Sequence, residues 1–103
     1  MTISNEPGYY EAGAFGIRIE NLCVTRYSNT ANNFSGKKFL EFETVTCVPI
    51  KSDLINVAQL DESEIRWVNQ YHEQVRERLL PLMQQYFPES VEYLIHETRP
   101  ISK

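Results

Sequence analysis

Two glutamates stand in settings where an unpaired carboxylate is costly. Glu6 lies in Ile3-Ser4-Asn5-Glu6-Pro7-Gly8-Tyr9-Tyr10, and Glu20 lies in Phe15-Gly16-Ile17-Arg18-Ile19-Glu20-Asn21. The Glu11-Ala12-Gly13 stretch between them has the composition of a turn. If the chain folds back about Gly13, residues whose numbers add to 26 face each other, and Glu6 and Glu20 are such a pair. Like charges set opposite one another destabilise a sheet. The arrangement persists when a cation lies between the carboxylates or when one is protonated. The Pro7-Gly8 step is a place where the first strand can bend. Arg18 and Glu20, two residues apart, project to the same strand face, and Leu22 and Val24 continue it. A guanidinium and a carboxylate on an apolar face are expensive unless paired or bound to metal. The residues alone leave two readings open: a partly exposed Arg18–Glu20 ion pair at a strand end, or a metal or substrate site.

The elements that must carry these residues are legible around them. Residues 16–26, rich in β-branched and apolar types, predict a strand. Residues 28–37 are turn formers and predict a loop joining antiparallel strands. Residues 38–48 predict the return strand, with Leu40, Phe42, Thr44, Thr46 and Val48 on one face and Glu41 and Glu43 on the other. Pro49 ends it, because proline cannot donate to a ladder. Beyond Ser52 the pattern becomes helical. Asp61 with Glu64 three residues later fits a capping box. Ile65, Val68, His72, Val75, Leu79 and Leu82 follow a helical stripe. Pro81 would clash with the Glu77 carbonyl, so the helix is expected to kink or stop near Leu80. Pro88 opens a last short helix through Val91, Leu94 and Ile95, closed by Pro100. All four glycines fall in the first half, and the strongest helical periodicity falls in the second. The expected class is therefore α+β, strands followed by helices.

Composition excludes several functions. The 103 residues carry 10 Lys+Arg against 14 Asp+Glu, a net charge of −4, which argues against nucleic acid as the main partner. No apolar run approaches the ~18–20 residues of a membrane span. No basic-then-apolar N-terminal stretch suggests a signal peptide. Cys23 and Cys47 make neither a disulfide framework nor a metal cluster and read as reduced thiols of a cytoplasmic protein.

The phrase Ser-Asn-Glu-Pro-Gly-Tyr-Tyr (4–10), followed by Gly-Ile-Arg-Ile-Glu-Asn (16–21), resembles the end of the catalytic domain of Xaa-Pro aminopeptidases, or aminopeptidase P. These are pita-bread metallopeptidases, a group that includes methionine aminopeptidase, prolidase and creatinase. Phe42-Glu43-Thr44-Val45-Thr46-Cys47-Val48-Pro49-Ile50, Trp67-Val68-Asn69-Gln70-Tyr71-His72 and Thr98-Arg99-Pro100-Ile101 resemble the C-terminal extension of the longer, three-domain type. The resemblance implies residues 1–52 as the last antiparallel strands of the catalytic domain and 53–103 as a helical extension. It implies two divalent ions, typically manganese, held by two Asp, one His and two Glu. Glu6 maps to the glutamate that ligates one metal and helps handle the proton of the nucleophilic water. Glu20 maps to the glutamate that bridges both metals. Arg18 maps to a residue orienting carboxylates or substrate. The implied substrate is a peptide with proline in second position.

The family's two aspartates and metal-binding histidine have no counterpart here. His72 lies on the helical stripe and His96 beside a helix end, both packing or surface roles, while Asp53 and Asp61 read as a loop residue and a cap. The chain is therefore expected to be a C-terminal fragment, inactive and metal-free by itself, with Met1 internal to the parent. A competing reading is a pita-bread scaffold without chemistry, which the joint presence of Glu6, Arg18 and Glu20 opposes. A third is a free-standing helical interaction domain in residues 53–103. Strands taken from a larger sheet leave an edge without its neighbour, and exposed edges pair with other chains. Light scattering of the purified chain should accordingly show self-association, as a homodimer or a swapped form, and a clean monomer at high concentration would contradict this.

Overall fold

A computed structural model describes all residues, Met1–Lys103. The chain forms two compact units, Met1–Thr46 and Cys47–Lys103.

The first unit is all antiparallel strand. A three-stranded sheet has the order β1–β4–β5, with β1 Thr2–Asn5, β4 Asn21–Ser28 and β5 Phe39–Thr44. A separate two-stranded ribbon pairs β2, Gly8–Glu11, with β3, Phe15–Arg18. The turn between β2 and β3 closes through Ala14 N–H to the Glu11 carbonyl at 3.0 Å, with Gly13 at φ +73°. A positive φ in this position suits glycine, which has no Cβ to clash.

One register runs through both sheets. Gly8 pairs with Arg18 and Tyr9 with Ile17 in the ribbon, while Asn5 pairs with Asn21 and Thr2 with Val24 in the larger sheet. Every such pair adds to 26, as the turn at Gly13 predicts. The single strand expected over 16–26 is nevertheless two, β3 and β4, separated at Ile19-Glu20. Pro7 explains the interruption. Ile19 N–H donates to the Pro7 carbonyl at 3.1 Å, but Pro7 has no N–H to return the bond. The ladder loses one of the two bonds of that rung and resumes on the far side without slipping.

The return strand is shorter than the expected 38–48. Val45 N–H still donates to the Leu22 carbonyl at 2.9 Å, but Leu22 N–H donates to Thr46 Oγ1 at 2.7 Å. A hydroxyl thus takes the place of the next backbone rung, and regular pairing ends at Thr44. The expected facing holds: Arg26 lies between Glu41 at 2.8 Å and Glu43 at 3.4 Å on the polar face. Leu40 and Phe42 pair with Tyr27 and Thr25 on the other.

The second unit is built on α1, Glu62–Tyr86, and α2, Val91–Glu97. Asp61 accepts from Glu64 N–H at 2.8 Å and Glu64 Oε2 accepts from Asp61 N–H at 2.8 Å, the reciprocal box read from the sequence. The Asp61 carboxyl is held below its usual range, first by the Ser63 hydroxyl and then by Glu64 N–H. The helix does not stop at Pro81 but continues to Tyr86. Glu77 and Pro81 are both exposed, so water can satisfy the carbonyl that proline leaves unbonded. Tyr71, Val75 and Leu94 form the core, with Ile50, Leu79, Leu80 and Met83 packed against it. Leu82, expected on the stripe, is 54% exposed. The C-terminal stretch is tied to α1 by two bonds between the Asn69 amide and the Ile101 backbone, at 2.8 and 3.0 Å, and by Arg76 donating to the Thr98 carbonyl at 2.9 Å.

Two substitutions should move stability in opposite directions. Asp61→Ala should cost ~0.5–2 kcal/mol by deleting the cap. Pro81→Ala should stabilise by up to ~3 kcal/mol by restoring a helix bond. Urea unfolding followed by helical circular dichroism measures both.

Candidate metal centre

The interrupted rung places the candidate residues. Asn5 pairs with Asn21 on one side of it and Gly8 with Arg18 on the other, so Glu6 stands opposite Glu20. Cross-strand bonds such as Thr25 N–H to Met1 O and Ile19 N–H to Pro7 O fall at odd positions of the first strand. Glu6 and Glu20 therefore occupy a non-hydrogen-bonded position, the class in which facing side chains come closest. Ser4, Glu6, Gly8 and Tyr10 share that face with Gly16, Arg18 and Glu20.

Arg18 joins the two sides. Its Nη1 lies 3.5 Å from Glu6 Oε2, and its Nε donates to the Tyr10 hydroxyl at 2.9 Å. Glu6 Oε1 accepts from Ser4 Oγ at 2.9 Å. The guanidinium carbon also sits 5.8 Å from the centre of the Tyr10 ring. The Arg18 pKa is raised, first by the Tyr10 hydroxyl that it bonds, then by the Glu6 carboxylate, and last by Glu20. The ion pair considered from the sequence, Arg18 with Glu20, is thus made with Glu6 across the strands, while Glu20 acts on Arg18 through its charge. Arg18 and Glu6 side chains are 50% and 45% exposed, so this pair by itself adds little stability.

Tyr10 belongs to the group although the sequence reading did not single it out. Its ring lies over two glycines. A Cβ at Gly16 would sit 2.6 Å from Tyr10 Cδ1, and one at Gly8 would collide with the Tyr10 hydroxyl. The legible signal was Gly8, two residues before Tyr10 on its own strand, and Gly16, directly opposite Tyr10 on the partner strand. Glycine there leaves room for the ring to lie flat and reach Arg18.

As a donor set, Glu6 and Glu20 offer hard carboxylate oxygens, which suit a divalent ion of the magnesium, calcium or manganese kind. Their mutual repulsion at a close cross-strand position also favours a cation between them. No group of three or more His, Cys, Asp or Glu gathers within the chain. The two glutamates fit part of a metal site. His72 and His96 lie in the second unit. His72 is fully buried, and its Nε2 accepts from Ile50 N–H at 3.0 Å.

The geometry has close relatives. The family model described as the C-terminal region of peptidase M24 matches residues 38–101. The "Probable Xaa-Pro aminopeptidase P" of Coprinopsis cinerea is 48% identical over 101 residues, covering 98% of this chain and 16% of that protein. "Aminopeptidase P2" of Arabidopsis thaliana is 44% identical over 103 residues, covering 100% of this chain and 14% of that protein. Among solved structures, the X-prolyl aminopeptidase of Caenorhabditis elegans, described as a cytosolic enzyme with a di-nuclear active site, superposes with a TM-score of 0.85. It is 32% identical, and the match covers 97% of this chain and 16% of that one. The chain thus spans about one-sixth of the length of these relatives.

The contact of Tyr10 with Arg18 can be tested without activity. Tyr10→Phe keeps the ring and deletes the acceptor, so the Arg18 Nε proton should exchange faster with solvent in nitrogen-15 spectra. Gly16→Ala should displace the ring and give the same change. For Tyr10→Phe, overall stability should move by no more than ~0.5 kcal/mol, as at other exposed positions. An unchanged Arg18 Nε signal in both variants would remove Tyr10 from the site.

Proposed function

This chain belongs to the family of the C-terminal region of peptidase M24, and we propose on that premise that it is the metal-ligating C-terminal part of an Xaa-Pro aminopeptidase. Its α+β fold, antiparallel strands followed by helices, is that of the C-terminal part of a pita-bread aminopeptidase. In this reading residues 1–52 are the closing strands of the catalytic domain and 53–103 the helical extension. The full protein releases the N-terminal residue that precedes proline in a peptide, and it works in the cytoplasm as a homodimer. The remaining ligands, two aspartates and a histidine, come from outside this chain, so the chain alone is inactive.

The observation that supports this reading is the unbroken register on both sides of Pro7. It sets Glu6 opposite Glu20 and leaves Arg18 on the same face. Glu6 and Glu20 would hold the divalent ions, most simply manganese given their oxygen donors. When bound, two such ions lower the pKa of a water and polarise the scissile carbonyl. Glu20, facing Glu6 across the missing rung, would contribute to both ion positions. Glu6 is oriented by Ser4 at one oxygen and Arg18 at the other. It would ligate one ion and receive the proton of the attacking water. Arg18 binds no metal. It orients Glu6 and is itself oriented by Tyr10.

The experiment is a comparison of Glu6→Gln, Glu20→Gln and Arg18→Ala in the full-length protein, with metal stoichiometry and turnover of an Xaa-Pro peptide measured on each. Glu20→Gln should empty or scramble the site. Glu6→Gln should reduce turnover more than total metal. Arg18→Ala should keep both ions and lose ~10- to 100-fold in activity, as removal of groups that orient ligands does. Two ions and near-normal turnover in Glu20→Gln would overturn the assignment. The 103-residue chain with added manganese should show no turnover; metal-dependent hydrolysis that tracks the purified chain would contradict the incomplete ligand set.

A further inference from the structure

The stretch leading into the helices is held by two neighbouring side chains of α1. Tyr71 donates its hydroxyl to the Val48 carbonyl at 2.7 Å, and His72 Nε2 accepts from Ile50 N–H at 3.0 Å. His72 is fully buried. A ring nitrogen that accepts a backbone N–H must keep its lone pair, so the ring is neutral with its proton on Nδ1. Nδ1 has no partner within hydrogen-bonding geometry. Protonating Nε2 would turn its one good bond into two opposed donors, N–H against N–H.

We propose that His72 is an acid-sensitive latch: neutral, it fastens the Val48–Lys51 segment to α1, and protonated, it releases that segment before the helical core unfolds.

The charged groups around the ring divide. Arg76, on the same helix, opposes an imidazolium, while the backbone at Ile50 and Arg99 and the Glu97 carboxylate on α2 favour one. Glu97 is already engaged by Lys51 Nζ at 2.8 Å. Tyr71, whose ring centre is 6.0 Å away, spends its hydroxyl on Val48. Burial outweighs the rest and holds the His72 pKa below its ordinary value. The sign follows from that direction. The released segment leaves His72 near its ordinary pKa of ~6.5. The latch is therefore at full strength above ~6.5 and weakens as pH falls, by up to tenfold per pH unit, until the depressed pKa is reached.

Amide hydrogen exchange by NMR on the full chain, corrected for the intrinsic pH dependence, tests this. Between pH 7.5 and 5 the Ile50 amide should lose protection that Val75 and Leu94 retain, beginning at pH ~6.5 and falling by up to tenfold per unit until the His72 ring itself titrates. His72→Gln supplies an acceptor that does not titrate and should flatten the curve. If Ile50 loses protection only together with Val75 and Leu94, or stays protected once His72 is protonated, the latch is wrong. An unchanged pH dependence in His72→Gln would also overturn it. Should His72→Gln not fold, the wild-type ring titration set against Ile50 exchange decides alone.

Discussion

A missing hydrogen on Pro7 organises the first unit. Everywhere else the two arms about Gly13 pair as a continuous antiparallel ribbon. At Pro7 one of the two bonds of a rung cannot form, although Ile19 N–H still reaches the Pro7 carbonyl. A full rung there would have continued an ordinary sheet through Glu6 and Glu20. A larger disruption, such as a bulge, would have shifted the register by one residue and turned one glutamate to the opposite face. Losing one donor interrupts the ladder yet preserves its phase. Two carboxylates are then left facing each other beside the interrupted rung.

The groups around that gap are arranged by sterics as much as by charge. Gly8 and Gly16 clear a floor on which the Tyr10 ring lies. The ring brings its hydroxyl to Arg18, and Arg18 reaches Glu6. Each contact is exposed and individually weak in water. Their value is orientation: together they restrict the rotamers of the Glu6 carboxylate.

The sequence made the register legible because the turn residues and the alternation agree on one pairing, and a one-residue error would have inverted every face. It also made the capping box legible, since Asp61 and Glu64 are local in sequence and need no tertiary context. What was missed depended on context. The end of the return strand rests on Thr46 substituting its hydroxyl for a backbone carbonyl at Leu22, a choice no propensity encodes. Pro81 does not end the helix because it and Glu77, whose carbonyl loses its partner, are both exposed to water. The pairing of Arg18 with Glu6 across the strands is a tertiary contact that spacing along one strand does not encode. The roles of Glu6, Arg18 and Glu20 came from family resemblance, while the residues and their spacing supplied only the juxtaposition.

The central claim is that the missing rung at Pro7 makes Glu6 and Glu20 a shared seat for divalent ions. Anomalous diffraction at the manganese edge, on crystals of the full-length protein, tests it most directly. Two peaks are predicted, at ~2.0–2.6 Å from their carboxylate ligands, with an oxygen of Glu20 on each and an oxygen of Glu6 on one. Peaks coordinated by other residues, with Glu6 and Glu20 engaged only by Arg18 and water, would contradict it.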